Sequence, residues 1–267
     1  MKDLEGIRPG LADLLAQREA ACRLTPDRAL ETLDDAQAFV DDRGMLTLTA
    51  DCALPSLFGA CHEEPYKPGG HGFASWPRTR WWWGGALAQR QGVHLLKIHR
   101  GKSLFLSPAT IAIVAPLCRE EQRRAEDGAY GEDAAELMDY LAASGPAPLD
   151  DVKRDLGWVA AALRRLRNRL ESVGAIVSWS METLAAQGGE RETSELALFN
   201  QRFPDIEARP GGLAELVVAG VRAAVVARAD EIPGWLTWRL PSRMIADLLA
   251  AGRLWEPQPG WVACVEA

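Results

Sequence analysis

The stretch WVAAALRRLRNRLESVGAIVSWS, Trp158 to Ser180, changes its hydrophobic period part-way along. Leu163, Leu166, Leu170 and Val173 recur at spacings of three and four, which puts them on one stripe of a helix that Gly174 ends. Residues 175–180 then read as a strand. Working upstream, residues 134–143 form a helix offering Leu137, Met138, Tyr140 and Leu141 to a core, and Ser144-Gly145-Pro146 breaks it. Residues 149–156 make a short second helix, with Gly157 as the turn. Downstream, a tip at Gly188-Gly189 leads into a return strand over residues 193–199. Helix, helix, turn, helix and hairpin in that order make a winged helix. Opposite its apolar stripe the third helix carries Arg164 and Asn168, flanked by Arg165, Arg167 and Arg169. Such a face suits a major groove, where Arg pairs with guanine and Asn with adenine. An Arg-rich face is equally what a merely solvated helix shows.

The same grammar extends to both sides. Towards the C-terminus a helix over residues 213–228, a bent connection through Pro233 and Pro241, a helix over residues 242–251 and a hairpin across residues 257–260 read as a second, smaller winged helix. Its Trp235, Trp238, Trp255 and Trp261 are expected to pack inside it or between domains. Towards the N-terminus, Leu11, Leu14, Leu15 and Ala21 lie at helical spacing, and a second helix starts at Thr25-Pro26 or at Asp34-Asp35. Residues 45–49 alternate as a strand, residues 54–61 can form a short helix, and Pro65, Pro68, Gly69, Gly70, Gly72 and Pro77 mark a loop. Residues 84–91 read as helix. Residues 93–99 and 103–107 read as two strands joined at Gly101-Lys102, which makes a basic hairpin. Residues 111–118 are helical or buried, and residues 120–127 read as a charged linker.

Charge is distributed unevenly over this frame. Residues 65–119 contain no carboxylate, although 37 Asp and Glu in 267 residues predict about eight there by proportion. They hold eight Lys and Arg, so a local +8 sits in a chain of net charge −7 and the rest sums to −15. Four of the ten tryptophans fall in the same stretch, at Trp76, Trp81, Trp82 and Trp83. Cations interleaved with indole rings suit nucleic acid, since Lys and Arg neutralise phosphates while the rings accept unpaired bases. Part of the missing acidity reflects buried segments, which leaves a basic face from Arg78 to Lys102.

Other classes find little support. Charged residues interrupt the N-terminus, so no signal-peptide core is present there, and the longest apolar runs fall short of a bilayer span. A cytoplasmic protein without membrane association is expected. Five scattered cysteines without a CxxC pair argue against a disulfide framework. Cys52, Cys61, His62 and His71 match no standard zinc spacing, and neither metal nor cofactor is expected. Phosphate-binding glycine loops, HExxH and GxSxG are absent.

Several segments together carry a family likeness: Leu54-Pro55-Ser56-Leu57, Trp81-Trp82-Trp83 leading to the basic strand 95–100, Phe105-Leu106-Ser107-Pro108, Gly174-Ala175-Ile176-Val177, Arg202-Phe203-Pro204-Asp205 and the terminal GRLWEPQPGWVACV. In order and texture, over residues 29–267, the chain resembles the bacterial AlkZ-like winged-helix family, and most closely its AlkZ-related branch. The resemblance implies a DNA-repair setting. Characterised members are DNA glycosylases that excise alkylated bases or unhook crosslinks, and their Gln-x-Gln or Gln-x-Asp motif positions the attacking water. Gln89-Arg90-Gln91 matches those letters, although the family's motif lies further upstream, in a GLQAQ-like segment that this chain lacks. A hydrolytic glycosylase also needs a group to orient water, and Asp51, Glu63 and Glu64 stand just before the basic stretch, where they can fold back onto it.

The expectation is therefore an α+β protein with tandem winged-helix domains and an N-terminal α/β region containing a basic hairpin. Its parts are a helical arm (1–28), an N-terminal α/β, winged-helix-like domain (29–128), a winged helix-turn-helix domain (129–206) and a small winged-helix domain (207–267). Its expected partner is duplex or damaged DNA, with a protein partner also compatible. The expected contacts are Arg78, Arg80, Trp81, Trp82, Arg90, Lys97, Arg100, Lys102, Arg164, Arg165, Arg167 and Asn168. The catalytic candidates are Gln89, Gln91 and Asp51. The alternative is a non-enzymatic transcription regulator or protein-interaction module.

Overall fold

A computed structural model describes residues 8–184 and 190–265; the Gly188-Gly189 tip lies outside them. The chain opens with α1 (Leu11–Ala21) and one 3-10 turn at Pro26–Arg28, so Thr25-Pro26 starts only that turn. The longer helix α2 (Leu33–Arg43) begins where Thr32 accepts from the Asp35 N–H at 3.1 Å. Asp35 in return accepts from the Thr32 N–H at 2.9 Å, a reciprocal capping box. Strand β1 (Met45–Thr47) follows. The helix expected over 54–61 shrinks to a 3-10 turn at Gly59–Cys61. Then come α3 (Trp83–Ala88) and a tight hairpin of β2 (His94–His99) and β3 (Lys102–Leu106). Its turn residues are Arg100 and Gly101, one position earlier than the pattern suggests, and both have positive φ (+53° and +78°). A two-residue turn of this kind needs left-handed backbone at both positions, which Gly101 supplies freely and Arg100 at some strain.

The apolar and charged halves of residues 108–126 form one helix, α4 (Pro108–Glu126), rather than a buried run and a linker. Ile111, Val114, Ala115, Cys118, Gln122 and Ala125 continue the inward spacing through the charged half, whose Arg and Glu residues mostly occupy the other faces. The central segment is α5 (Glu132–Ser144), β4 (Ala147–Pro148), α6 (Leu149–Asp155), α7 (Ala160–Ser172), β5 (Ile176–Leu184) and β6 (Glu190–Leu198). A single turn, α8 (Phe199–Arg202), leads to α9 (Gly212–Ala224). That helix stops four residues short of expectation. Val225 takes φ +68° and the chain turns into β7 (Val226–Arg228), which β9 captures by strand pairing. The chain closes with α10 (Met244–Ala250), β8 (Leu254–Gln258) and β9 (Trp261–Cys264).

Among the described residues, three antiparallel three-stranded sheets result, ordered β1-β3-β2, β4-β6-β5 and β7-β9-β8. In each, the strand latest in sequence sits in the middle, between the first strand and its own hairpin partner. The helices of the middle segment close over Leu137, Met138, Leu141, Leu163, Leu170 and Leu196. A larger core joins the first sheet and α4 to α9 and the last sheet, and includes Trp235 and Trp238. Trp235 packs so closely that a side chain at Gly220 would meet its ring at 2.9 Å. Trp255 and Trp261 are half-buried beside Leu14 of α1, so all four C-terminal indoles take packing roles.

Candidate nucleic-acid interface

The Gly/Pro-rich loop is folded back on itself. Tyr66 N–H donates to Trp76 O at 2.6 Å, Lys67 N–H to Ala74 O at 2.8 Å, and Arg78 N–H to Glu64 O at 2.9 Å. These bonds gather aromatic rings into a chain: Phe73 lies 5.7 Å from Tyr66, 5.1 Å from Trp76 and 5.4 Å from Trp81, centroid to centroid. The tryptophan run splits where α3 begins. Trp83 is core, 5% exposed, with the Arg80 guanidinium 5.1 Å from its ring centroid, whereas Trp81 and Trp82 are 42% and 47% exposed. Tyr66 and Phe73 are exposed too, so the loop concentrates large apolar rings on the surface beside the open Arg78. An indole face beside a guanidinium can accept an unstacked base and hold its phosphate. Glu63 is turned inward, accepting from the Thr79 N–H.

Asp51 folds onto the basic hairpin, as its place in the sequence allows. Its carboxylate accepts from His99 Nε2 at 2.9 Å, lies 3.2 Å from Arg100 Nη2 and binds Lys102 Nζ. Burial works to raise its pKa and is the largest single influence. The hydrogen bonds from Lys102 and His99 outweigh it, and the group is held below the ordinary carboxylate value. His99 is buried, and its Nδ1 contacts Trp235 O. Donor atoms of Asp51, Cys52 and His99 lie within 4.8 Å of one another. Lys102 and Arg100 already hold the carboxylate, and burial pushes the Cys52 thiol up to about 11, so this cluster is poorly suited to a cation.

Helix α7 presents Arg164, Arg165 and Asn168 to solvent. Arg169 packs over the Tyr130 ring at 4.8 Å and donates to Tyr130 O. Arg167 turns inward, its Nε 3.6 Å from Glu171, a buried carboxylate. Lys97 of β2 donates to both Glu171 oxygens, at 2.9 and 2.8 Å, and Ser178 of β5 donates as well. Lys97 and Arg167 are thus joined in an internal ion pair between the first hairpin and α7. The remaining expected contacts, Arg78, Arg100, Lys102, Arg164, Arg165 and Asn168, stand on the surface. Arg90 is half-buried and pairs with Asp34 at 2.9 Å.

Between β2, the end of α3 and the β5–β6 hairpin lies a cleft of about 510 Å³ that brings together Gln89, Gln91, His94, Lys97, Trp179 and Arg202. Gln89 and Gln91 are exposed at its rim. Arg202 stacks over Trp179 at 4.8 Å, and His94 meets Phe203 edge-on at 5.4 Å. Burial, aided by the Arg202 charge, lowers the His94 pKa and keeps its imidazole neutral near pH 7. Trp179, Arg202 and Phe203 carry no signal of a shared site in the sequence, because they face His94 only through the packing of β5 and α8 on the first hairpin. Asp51 lies apart, on the hairpin's charge cluster.

Among the described residues no helix is long and apolar enough to cross a membrane. No curated protein matches the sequence. Among solved structures, the DNA glycosylase AlkZ of Streptomyces sahachiroi is similar to this chain at 11% identity and a TM-score of 0.47, over 96% of this chain and 70% of that one. Residues 30–201 match the family described as AlkZ related, and as that span is more than half of the chain, this protein belongs to the AlkZ-related family.

Proposed function

We propose that the protein is a cytoplasmic DNA-binding protein of repair type that engages duplexes containing a damaged or unstacked nucleotide. The observation that carries the proposal is the division of the tryptophan run, with Trp83 in the core and Trp81 and Trp82 exposed beside Arg78. A ring held at the surface at the cost of apolar exposure suits a ligand with a stackable face. The segment over 129–206 runs α5-β4-α6-α7-β5-β6, the helix-strand-helix-helix-hairpin order of a winged helix, and we read the segments over 29–128 and 207–267, where 3-10 turns and one helix lie between the strand and the hairpin, as variants of it. In the middle one Arg164, Arg165 and Asn168 stand where a recognition helix reads a groove. Arg100 and Lys102 at the hairpin tip then contact the backbone. Membership of the AlkZ-related family supports the same repair setting.

Base excision would fall to Gln89 and Gln91 at the cleft rim. A second, non-enzymatic reading is favoured by Asp51, which is occupied by Lys102, His99 and Arg100 and so is not free to orient water. Incubation with alkylated duplex followed by alkaline cleavage separates the two: strand breaks indicate a glycosylase, and none with several lesions indicates a binding module. The DNA reading itself is tested by salt-dependent binding. The wild type binds duplex and the Arg78→Glu/Arg80→Glu variant binds more weakly; equal binding by both overturns it.

A further inference from the structure

We infer that the cleft between β2 and the β5–β6 hairpin receives an electrically neutral, extruded nucleobase and rejects a cationic, N-alkylated one. The inference rests on the DNA-binding reading above and names the substrate class that the molecule selects. Its basis is charge. Among the described residues lining the cleft there is no Asp or Glu, while Arg90, Lys97 and Arg202 all border it. The nearest buried carboxylate, Glu171, is spent: Lys97 and Ser178 hold one oxygen, and Lys97 and Arg167 face the other. Arg90 pairs with Asp34 and Lys97 with Glu171, so among the described residues the charge a cationic base meets there is that of Arg202, with no free carboxylate beside it.

The aromatic wall points the same way. An indole face attracts a cationic ligand through its quadrupole, but one face of Trp179 is already covered by the protein's own Arg202 guanidinium, 4.8 Å from the ring centroid. Among the described residues no carboxylate pairs with Arg202, so its charge remains available to a phosphate on the incoming nucleotide. What the cleft offers a base edge is neutral and two-sided: the amides of Gln89 and Gln91, which both donate and accept, the uncharged His94 imidazole and the hydroxyls of Ser180 and Ser194.

The test uses the full chain and two duplexes that differ only in charge. Each carries a single-nucleotide bulge, holding either 7-methylguanine, which is cationic, or 7-methyl-7-deazaguanine, its neutral isostere. Affinities are measured by fluorescence anisotropy at one salt concentration. Binding to the neutral duplex should be tighter by about tenfold, the scale of one poorly screened like-charge contact. Arg202→Gln should erase the preference and Arg202→Lys should keep it. Equal or tighter binding of the cationic duplex, or a preference that survives in Arg202→Gln, overturns the inference while leaving DNA binding intact. Failure to bind either duplex removes the DNA-binding reading and the inference with it.

Discussion

Replacing Glu171 with Gln tests the join between the first hairpin and α7 without changing shape. The carboxylate side chain is 2% exposed and faces Lys97, 33% exposed, and Arg167, 19% exposed. Removing its charge leaves two partly buried cations around a neutral amide. Breaking a fully buried pair costs about 3–5 kcal/mol, and water reaching Lys97 recovers part of that, so roughly 2–3 kcal/mol is expected here. For a chain of this size each kcal/mol moves Tm by roughly 2–4 °C, so the variant should melt roughly 4–12 °C below wild type. Differential scanning calorimetry at pH 7 reads this, with the Lys97→Met/Glu171→Gln pair completing a double-mutant cycle. The double variant should melt no lower than Glu171→Gln alone, because the stranded ammonium has gone. A fall in Tm below about 2 °C, or additive losses in the cycle, would show that the ion pair does not hold these elements together.

Four further outcomes follow from the geometry. Trp81→Ala and Trp82→Ala should each weaken binding to bulged or single-stranded DNA by about 1–3 kcal/mol with little change in Tm, whereas Trp83→Ala should cost about 3–5 kcal/mol of stability; titrations and melting curves read both. Arg78→Glu/Arg80→Glu should flatten the slope of log K against log salt by up to about 1.8, measured from about 50 to 200 mM salt. Asp51→Asn should bind duplex more tightly, since Lys102 and Arg100 lose their internal counter-ion. Because the folded pKa of Asp51 is depressed, its stabilising effect is present above the unfolded value of 3.8 and lost as pH falls through the lower folded one, so the Tm gap between wild type and Asp51→Asn should close below that value. Burial pushes the thiols of Cys61 and Cys264 up to about 11, so only about one molecule in a thousand is thiolate at pH 8, and iodoacetamide should label them far more slowly than a free thiol.

The fold is most legible where periodicity is local. Leu163, Leu166 and Leu170 place α7, and Gly174 places its end, because both signals act within a turn or two of the chain. Legibility fails where tertiary pairing overrides a continuous pattern. Val226 to Arg228 continue the apolar run of α9, yet pairing with β9 makes them a strand, and nothing within the run announces it. The charged half of α4 fails in the opposite sense, since its Arg and Glu residues hide an inward spacing carried partly by Gln122 and Ala125. For the interface, composition locates the exposed rings and cations, but it cannot divide Trp81 and Trp82 from Trp83, which differ only in which side of the α3 N-terminus they occupy.

Composition also hides which cations are free, and that distinction decides what the surface can do. Lys97 and Lys102 cannot be told apart by residue type, yet Lys97 closes on the buried Glu171 inside the molecule while Lys102, more than half exposed, pairs with Asp51 at the turn beside Arg100. The internal pair fixes the hairpin against α7, and the hairpin tip passes close to the end of that helix: a side chain at Gly101 would lie 3.9 Å from Ser172 Cβ. Arg100 and Lys102 are thereby held in a fixed relation to Arg164, Arg165 and Asn168, about 60 residues away in sequence. A ligand that touches both sets meets a preorganised surface and avoids part of the ordering cost of binding. Loosening the Lys97–Glu171 pair should therefore weaken binding of a long duplex that reaches both sets more than binding of a short bulged strand that reaches only Trp81 and Trp82. Equal weakening of the two would mean that the sets act independently.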